Sequence, residues 1–211
     1  IYAERMRTAR GRRNNTWQIF PDFGLTFTLV LDACPQQLAL LIPLSLQRAI
    51  KHAAQVECSI KWPNDVLYNG KKIAGILIEK VQVDGRDKYL VGIGLNVNTP
   101  AEGMADDFVG TTLEIAKGKP LDREELLEAI LQQIELDVKE LRAHGWQLFA
   151  PEYAAECITL GKIITWRPWG SEPVEGEAVG LTTDGALLLQ TNEGRVEVAA
   201  GEIMHARGTL R

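Results

Sequence analysis

Three clusters of residues in this chain are equipped for chemistry. The first is arginine: Arg5, Arg7, Arg10, Arg12 and Arg13 stand within nine positions, with Gly11 among them. Guanidinium groups bind carboxylate and phosphate bidentately, and glycine lets backbone amides approach an anion. The same run would also serve as a solvated basic loop or a nucleic-acid patch. It is not a P-loop, because GxxxxGK[ST] does not occur. The second cluster lies in KWPNDVLYNGKKIAGILIEK, residues 61–80. Asn64 and Asp65 follow a proline at a strand-to-turn edge, with side chains free to face a cleft. Lys72 stands past an Asn-Gly turn at the mouth of an apolar strand, where its charge could meet a carboxylate or phosphate. Taken alone, these are equally well turn residues and a snorkelling lysine. The third cluster is VGIGLNVN, where Gly92 and Gly94 precede Asn96 and Asn98. Glycine inside a strand often marks close approach by a ligand. No GxGxxG opening a helix follows, so this is not a dinucleotide fingerprint.

These residues need elements to hold them. FGLTFTLVLDA (23–33) reads as a strand, and Pro35 to Val56 has helical apolar spacing with Pro43 either inside the helix, kinking it, or at its true first turn. CSIKWP, DVLYNG and KIAGILIEKVQV read as strands, the last two joined by the Asn-Gly turn. YLVGIGLNVN (89–98) is a further strand, and TTLEIAKG a short helix. The segment 121–145 is the clearest helix, with Asp122 as N-cap, Glu125 three residues on and Gly145 as stop. Beyond residue 157 short β-rich runs alternate with PWGSEP, TTDG and NEG, the texture of a small SH3-like barrel.

Bulk properties narrow the function. At 211 residues and 45% apolar content the chain can bury a substantial core. A net charge of −5 argues against a generic nucleic-acid or membrane-surface binder, and turns the arginine run toward a small anion. No apolar run approaches membrane-spanning length and no signal-peptide pattern is present, which reads as a cytoplasmic protein without a membrane partner. Cys34, Cys58 and Cys157 form no CxxC pair, and His52, His144 and His205 are scattered, so neither a disulfide framework nor a zinc site is expected.

RGRRNNTW, then KWPNDVLYNGKKIAGILIE, then VGIGLNVN, in that order, closely resemble the biotin protein ligase family. The resemblance runs on through GTTLEIAKGKPLDREELLEAIL and the GALLL and AGEI of the barrel. It implies an α+β fold: a mixed β-sheet catalytic domain packed with helices (1–157), then an SH3-like β-barrel (158–211). It implies an ATP-dependent ligase that forms biotinyl-5′-AMP and passes biotin to a lysine of a biotin carboxyl carrier domain, as in acetyl-CoA carboxylase. Biotin and ATP would be substrates, with Mg2+ accompanying ATP, and a homodimer is compatible with the family.

Carried over residue by residue, Lys72 would meet the biotin carboxylate and α-phosphate, with Arg10 and Arg12 acting beside it. Gly11, Gly75, Gly92 and Gly94 would join Arg10, Arg12 and Lys72 in holding biotin. Arg12, Arg13, Trp17, Asn64, Asp65, Lys72, Asn96 and the barrel's Arg207 would hold the nucleotide, with Asp65 the candidate magnesium contact. The chain departs from the family loop GRGRRGRxW at Ala9, Asn14 and Asn15, and Met6 stands where a glutamine usually meets biotin. The resemblance implies a biotin-binding strand and helix ahead of residue 1, so the catalytic domain is expected to be N-terminally incomplete relative to the family. The departures motivate an alternative: a weakly active or non-catalytic binder of biotin or the carrier.

Overall fold

A computed structural model describes residues 9–11, 16–17, 20, 22–32, 37–99, 110–168, 172–199 and 202–205. Its centre is an antiparallel sheet built from five strands. These are β3 (Leu25–Asp32), β4 (Ser59–Lys61), β5 (Asp65–Tyr68), β6 (Lys71–Val83) and β7 (Arg86–Leu95), in the order β3-β7-β6-β5-β4. Two short strands, β1 (Ala9–Arg10) and β2 (Thr16–Trp17), pair separately.

The turns follow from their residues. Asn69 and Gly70 both take positive φ, 48° and 75°, between β5 and β6. Asp84 and Gly85 repeat this at 50° and 73° between β6 and β7. Two successive left-handed residues make the tight turn whose twist matches a hairpin, and Asn-Gly and Asp-Gly are the pairs that adopt it at least cost.

Helix α1 (Leu38–Ala54) packs on β4, β5 and β6, and against α3 (Arg123–His144). It is buried on nearly every side, from Leu38 through Leu41, Ile42 and Leu46 to Ala54. Pro43 lies inside it, in the second turn. The carbonyl that loses its amide partner there belongs to Ala39, an exposed residue. Helix α3 buries Leu126, Ile130, Ile134, Val138 and Leu141, one stripe at three- and four-residue spacing. Its ends are those read from the sequence. Asp122 accepts from the amides of Glu124 and Glu125 at 2.8 and 3.1 Å, and the amide of Gly145 donates to Leu141 at 2.9 Å. Between these helices α2 (Leu113–Lys117) is capped by Thr112, whose hydroxyl accepts from Ile115. After α3, helix α4 (Ala150–Glu156) leads into the second unit.

That unit has five antiparallel strands: β8 (Ile163–Arg167), β9 (Val174–Leu181), β10 (Leu187–Thr191), β11 (Gly194–Val198) and β12 (Glu202–His205). Their order, β11-β10-β9-β8-β12, brings the last strand back beside the first. Its inward residues Ile164, Ala178, Leu187, Leu189, Val198 and Ile203 belong to the same hydrophobic cluster as the central sheet and helices. The helices are also tied to one another by charge. The Arg48 guanidinium of α1 donates to Asp137 of α3 at 2.7 Å and to both oxygens of Glu152 of α4, and lies 5.2 Å from the Phe149 ring centre.

Candidate active site

In β7, Gly92 and Gly94 alternate with Val91, Ile93 and Leu95, which enter the core. In β6, Gly75 lies between Ala74 and Ile76, which do the same. Gly75 and Gly94 are direct cross-strand partners, with Asp65 beyond Gly75 and Thr26 beyond Gly94. A row of four residues therefore crosses the sheet on its non-core face, and its two middle members have no side chains. The indole of Trp17 lies on that bare floor. A Cβ on Gly94 would stand 2.6 Å from the Trp17 Cε2 and Nε1 atoms, and one on Gly75 would stand 3.1 Å from its Cζ3. Gly92, on the same face, has room: the nearest atoms to an added Cβ are the Leu77 carbonyl at 3.5 Å and the Thr28 hydroxyl at 3.9 Å.

Lys72 reaches this floor through a break in the strand's alternation. Three residues before Gly75, it would point to the opposite face in an unbroken strand. The register between β5 and β6 runs Asp65 to Gly75, Val66 to Ala74, then Leu67 to Lys72, leaving Ile73 as an extra residue. This β-bulge tucks Ile73 fully into the core and turns Lys72 to the glycine face. There its Cε and Nζ lie 3.0 Å from the position a Gly75 Cβ would take, and Nζ is 5.3 Å from the Trp17 ring centre.

The bulge is pinned from one side. The amide of Asn96 donates to the Ile73 carbonyl at 2.8 Å, its side-chain Nδ2 donates to Thr111 at 3.2 Å, and the amide of Thr111 donates to the Lys72 carbonyl at 2.9 Å. Asn96 is buried in this ring of bonds. Asn98 clasps the chain further on, donating to the Leu121 carbonyl at 2.7 Å and accepting from the Leu121 amide at 2.9 Å.

The Lys72 ammonium lies 2.6 Å from Oδ1 of Asp65. The angles are poor for a hydrogen bond, and that buried oxygen has no hydrogen-bond partner, so the pair is held by charge attraction at close range. A lysine seated this way is available to an incoming anion. Asn64 is fixed to β6 by two bonds: its Nδ2 donates to the Ile76 carbonyl at 2.8 Å, and its own carbonyl accepts from the Ile76 amide at 3.0 Å. The edge begins with a cis Trp62–Pro63 peptide.

Of the residues singled out in the sequence, Trp17, Lys72, Asp65, Gly75 and Gly94 thus meet in one place. Asn64 is tied beside them. Asn96 acts one layer behind, on the bulge. Gly11 and the backbone of Arg10 belong to the β1–β2 segment that ends on Trp17. Arg12, Arg13 and Arg207 lie outside the described residues, as do Met6, Asn14 and Asn15, and Ala9 is described as backbone only. Among the described residues no three His, Cys, Asp or Glu side chains gather as metal ligands. Sequence reasoning missed the bulge and the Arg48 network altogether.

A floor of glycines covered only by the Trp17 indole, a lysine turned onto it and an acidic edge make a candidate site for a flat group carrying an anion. Comparison with known proteins gives that site a family. Residues 2–98 match the biotin/lipoate A/B protein ligase family, and residues 159–205 match the biotin protein ligase C terminal domain. The biotin--[acetyl-CoA-carboxylase] ligase of Paracoccus denitrificans is 31% identical, over 96% of this chain and 88% of its own length. The bifunctional ligase/repressor BirA of Bacillus subtilis is also 31% identical, over 96% of this chain and 65% of its own. A biotin protein ligase from Aquifex aeolicus, solved in complex with biotin and ATP, superposes with a TM-score of 0.85 at 31% identity, covering 98% of this chain and 88% of that one. The chain belongs to the biotin protein ligase family. It spans 65% of the length of the Bacillus relative.

Proposed function

We propose that this chain is an ATP-dependent biotin protein ligase. A biotin carboxylate oxygen attacks the α-phosphorus of Mg·ATP; the bond to the leaving pyrophosphate breaks, and biotinyl-5′-AMP forms. The neutral ε-amine of a carrier lysine then attacks the biotinyl carbonyl. An amide forms, AMP departs, and the amine's proton goes to solvent or base. The observation that carries this reading is the bulge at Ile73, which turns Lys72 onto the glycine floor beside Asp65. There its charge offsets the negative charge of two anions being brought together. Biotin would lie along Gly75, Gly92 and Gly94 once the Trp17 indole gives way there, with Gly11, Arg10 and Arg12 closing over it. The nucleotide would take Arg12, Arg13, Trp17, Asn64, Asp65, Asn96 and Arg207.

The catalytic part is assigned to 1–157 and the barrel to 158–211. The carrier would be the biotin carboxyl carrier domain of an acetyl-CoA carboxylase or similar enzyme. Among the described residues no strand pairs with β6 beyond Ile76 on its β5 side. A second copy of this chain is a further partner compatible with the reading. We assign no nucleic-acid partner to these residues, whose net charge is −5. No helix among those described is long and apolar enough to cross a membrane, and the cytoplasm, where carboxylases and ATP meet, is the assigned compartment.

The test is incubation with biotin, Mg·ATP and a carrier domain, following pyrophosphate release and carrier biotinylation separately. Lys72→Ala removes one charge-assisted contact, about 1.5–3 kcal/mol, so both rates should fall at least tenfold. Rates that survive the substitution would refute the assignment to Lys72. A second reading, a weakly active or non-catalytic binder, is favoured by Asn15 standing where an arginine is expected. Pyrophosphate release without carrier transfer would support it.

A further inference from the structure

Trp62 belongs to the KWPND stretch, yet its contacts lie across the molecule. It is 3% exposed. Its backbone amide donates to the hydroxyl of Thr159 at 3.1 Å, and its indole Nε1 donates to the carbonyl of Gly185 at 3.1 Å. Gly185 ends the turn between β9 and β10, with φ of +88°, and a Cβ there would stand 2.8 Å from Leu40 of α1. The same turn accepts, at Thr183, a bond of 2.7 Å from the side chain of Gln37 just before α1. Below Trp62, Ile60 bridges Cys157, and the amide of Ile158 donates to Ile60 at 2.9 Å. One residue thus grips the barrel with both its main chain and its side chain, two and three positions before Asn64 and Asp65.

We propose that Trp62 is a positioning residue that makes the seating of the barrel turn Thr182–Gly185 a condition for holding the Asn64–Asp65 edge of the nucleotide site. The Gly185 carbonyl fixes the indole, the indole fixes the backbone at residue 62, and the chain from there sets where Asp65 enters β5 opposite Gly75. The kinetic consequence rests on the ligase reading above; the mechanical coupling does not.

The experiment uses the full chain with Trp62→Phe, which keeps most of the bulk and removes the indole N–H, and with Gly185→Ala, which pushes the turn off Leu40. Each should raise the KM for Mg·ATP about fivefold, the worth of one neutral hydrogen bond, while the KM for biotin stays within twofold. The double variant should be no worse than the worse single one, because both break the same link. Amide hydrogen exchange over residues 62–68 should speed up in both variants. A fall in melting temperature with unchanged exchange at 62–68 would overturn the proposal, as would additive effects on the KM. If the wild-type chain releases no pyrophosphate, the ligase reading fails, while exchange at 62–68 in the Gly185→Ala chain still decides the coupling.

Discussion

Gly92 and Gly94 stand two residues apart on the same face of β7, yet the structure asks different things of them. Gly94 lies under the Trp17 indole with no room for a methyl group, whereas Gly92 has ordinary van der Waals space. Gly94→Ala should therefore push the Trp17 indole off the floor and Gly92→Ala should leave the indole in place, while a methyl at either position takes room from biotin. Tryptophan fluorescence, with Trp17→Phe as control, reads the contrast, and calorimetric titration with biotin should show binding weakened about tenfold in both variants; equal fluorescence changes would mean that Trp17 does not rest there in solution. The glycines themselves were legible in the sequence as places of close approach. What approaches them here was not, because the contact joins residues 17 and 94, and no local pattern carries that distance.

At the scale of elements, hairpins and caps were readable because their causes are local. Asn69-Gly70 demands left-handed backbone, and Asp122 supplies an acceptor to the amides that open α3. The bulge at Ile73 was not readable: from Ile73 to Leu77 the residues are small or apolar without interruption, so no alternation is there to show a break. Its fixing ring gives Asn96 a role the sequence did not suggest. Asn96→Ala leaves the Thr111 carbonyl without its donor in a buried place, at about 1–3 kcal/mol of stability. It should also lower the rate of pyrophosphate release several-fold, since Thr111 in turn holds the Lys72 carbonyl. Urea denaturation and the pyrophosphate assay read the two effects; a loss of stability with full activity would separate the ring from the chemistry.

On the scale of the whole molecule, helices and barrel share one hydrophobic cluster, so heat should unfold the chain in a single calorimetric transition. Two separated transitions would show that the barrel folds on its own account. The three-helix ion cluster adds a dependence on acidity. Hydrogen bonding to Arg48 holds the Glu152 carboxyl below its ordinary range, with the charge of Arg48 contributing and partial burial opposing. A depressed carboxylate adds stability above its unfolded pKa, about 4.3, and loses it as pH falls through the lower folded value. Wild type should thus exceed Glu152→Gln in stability at pH 7, with the gap closing below pH 4, in urea melts at each pH. A constant gap would locate the effect in packing. Arg48 was invisible beforehand because its partners stand 89 and 104 residues away.

The extra residue in β6 also constrains how this chain can change over generations. Hairpin turns ordinarily tolerate single insertions and losses, since exposed loops adapt. Between Lys72 and Gly75 a single loss restores plain alternation, leaving the lysine on the floor but taking the Ile73 side chain out of the core, and a single gain moves the lysine a residue further from Gly75 and Asp65. Variation in length should accordingly be purged from these four positions while remaining common at the Asp84-Gly85 turn, a pattern that deep insertion scanning of the gene, selected for biotinylation, would display directly.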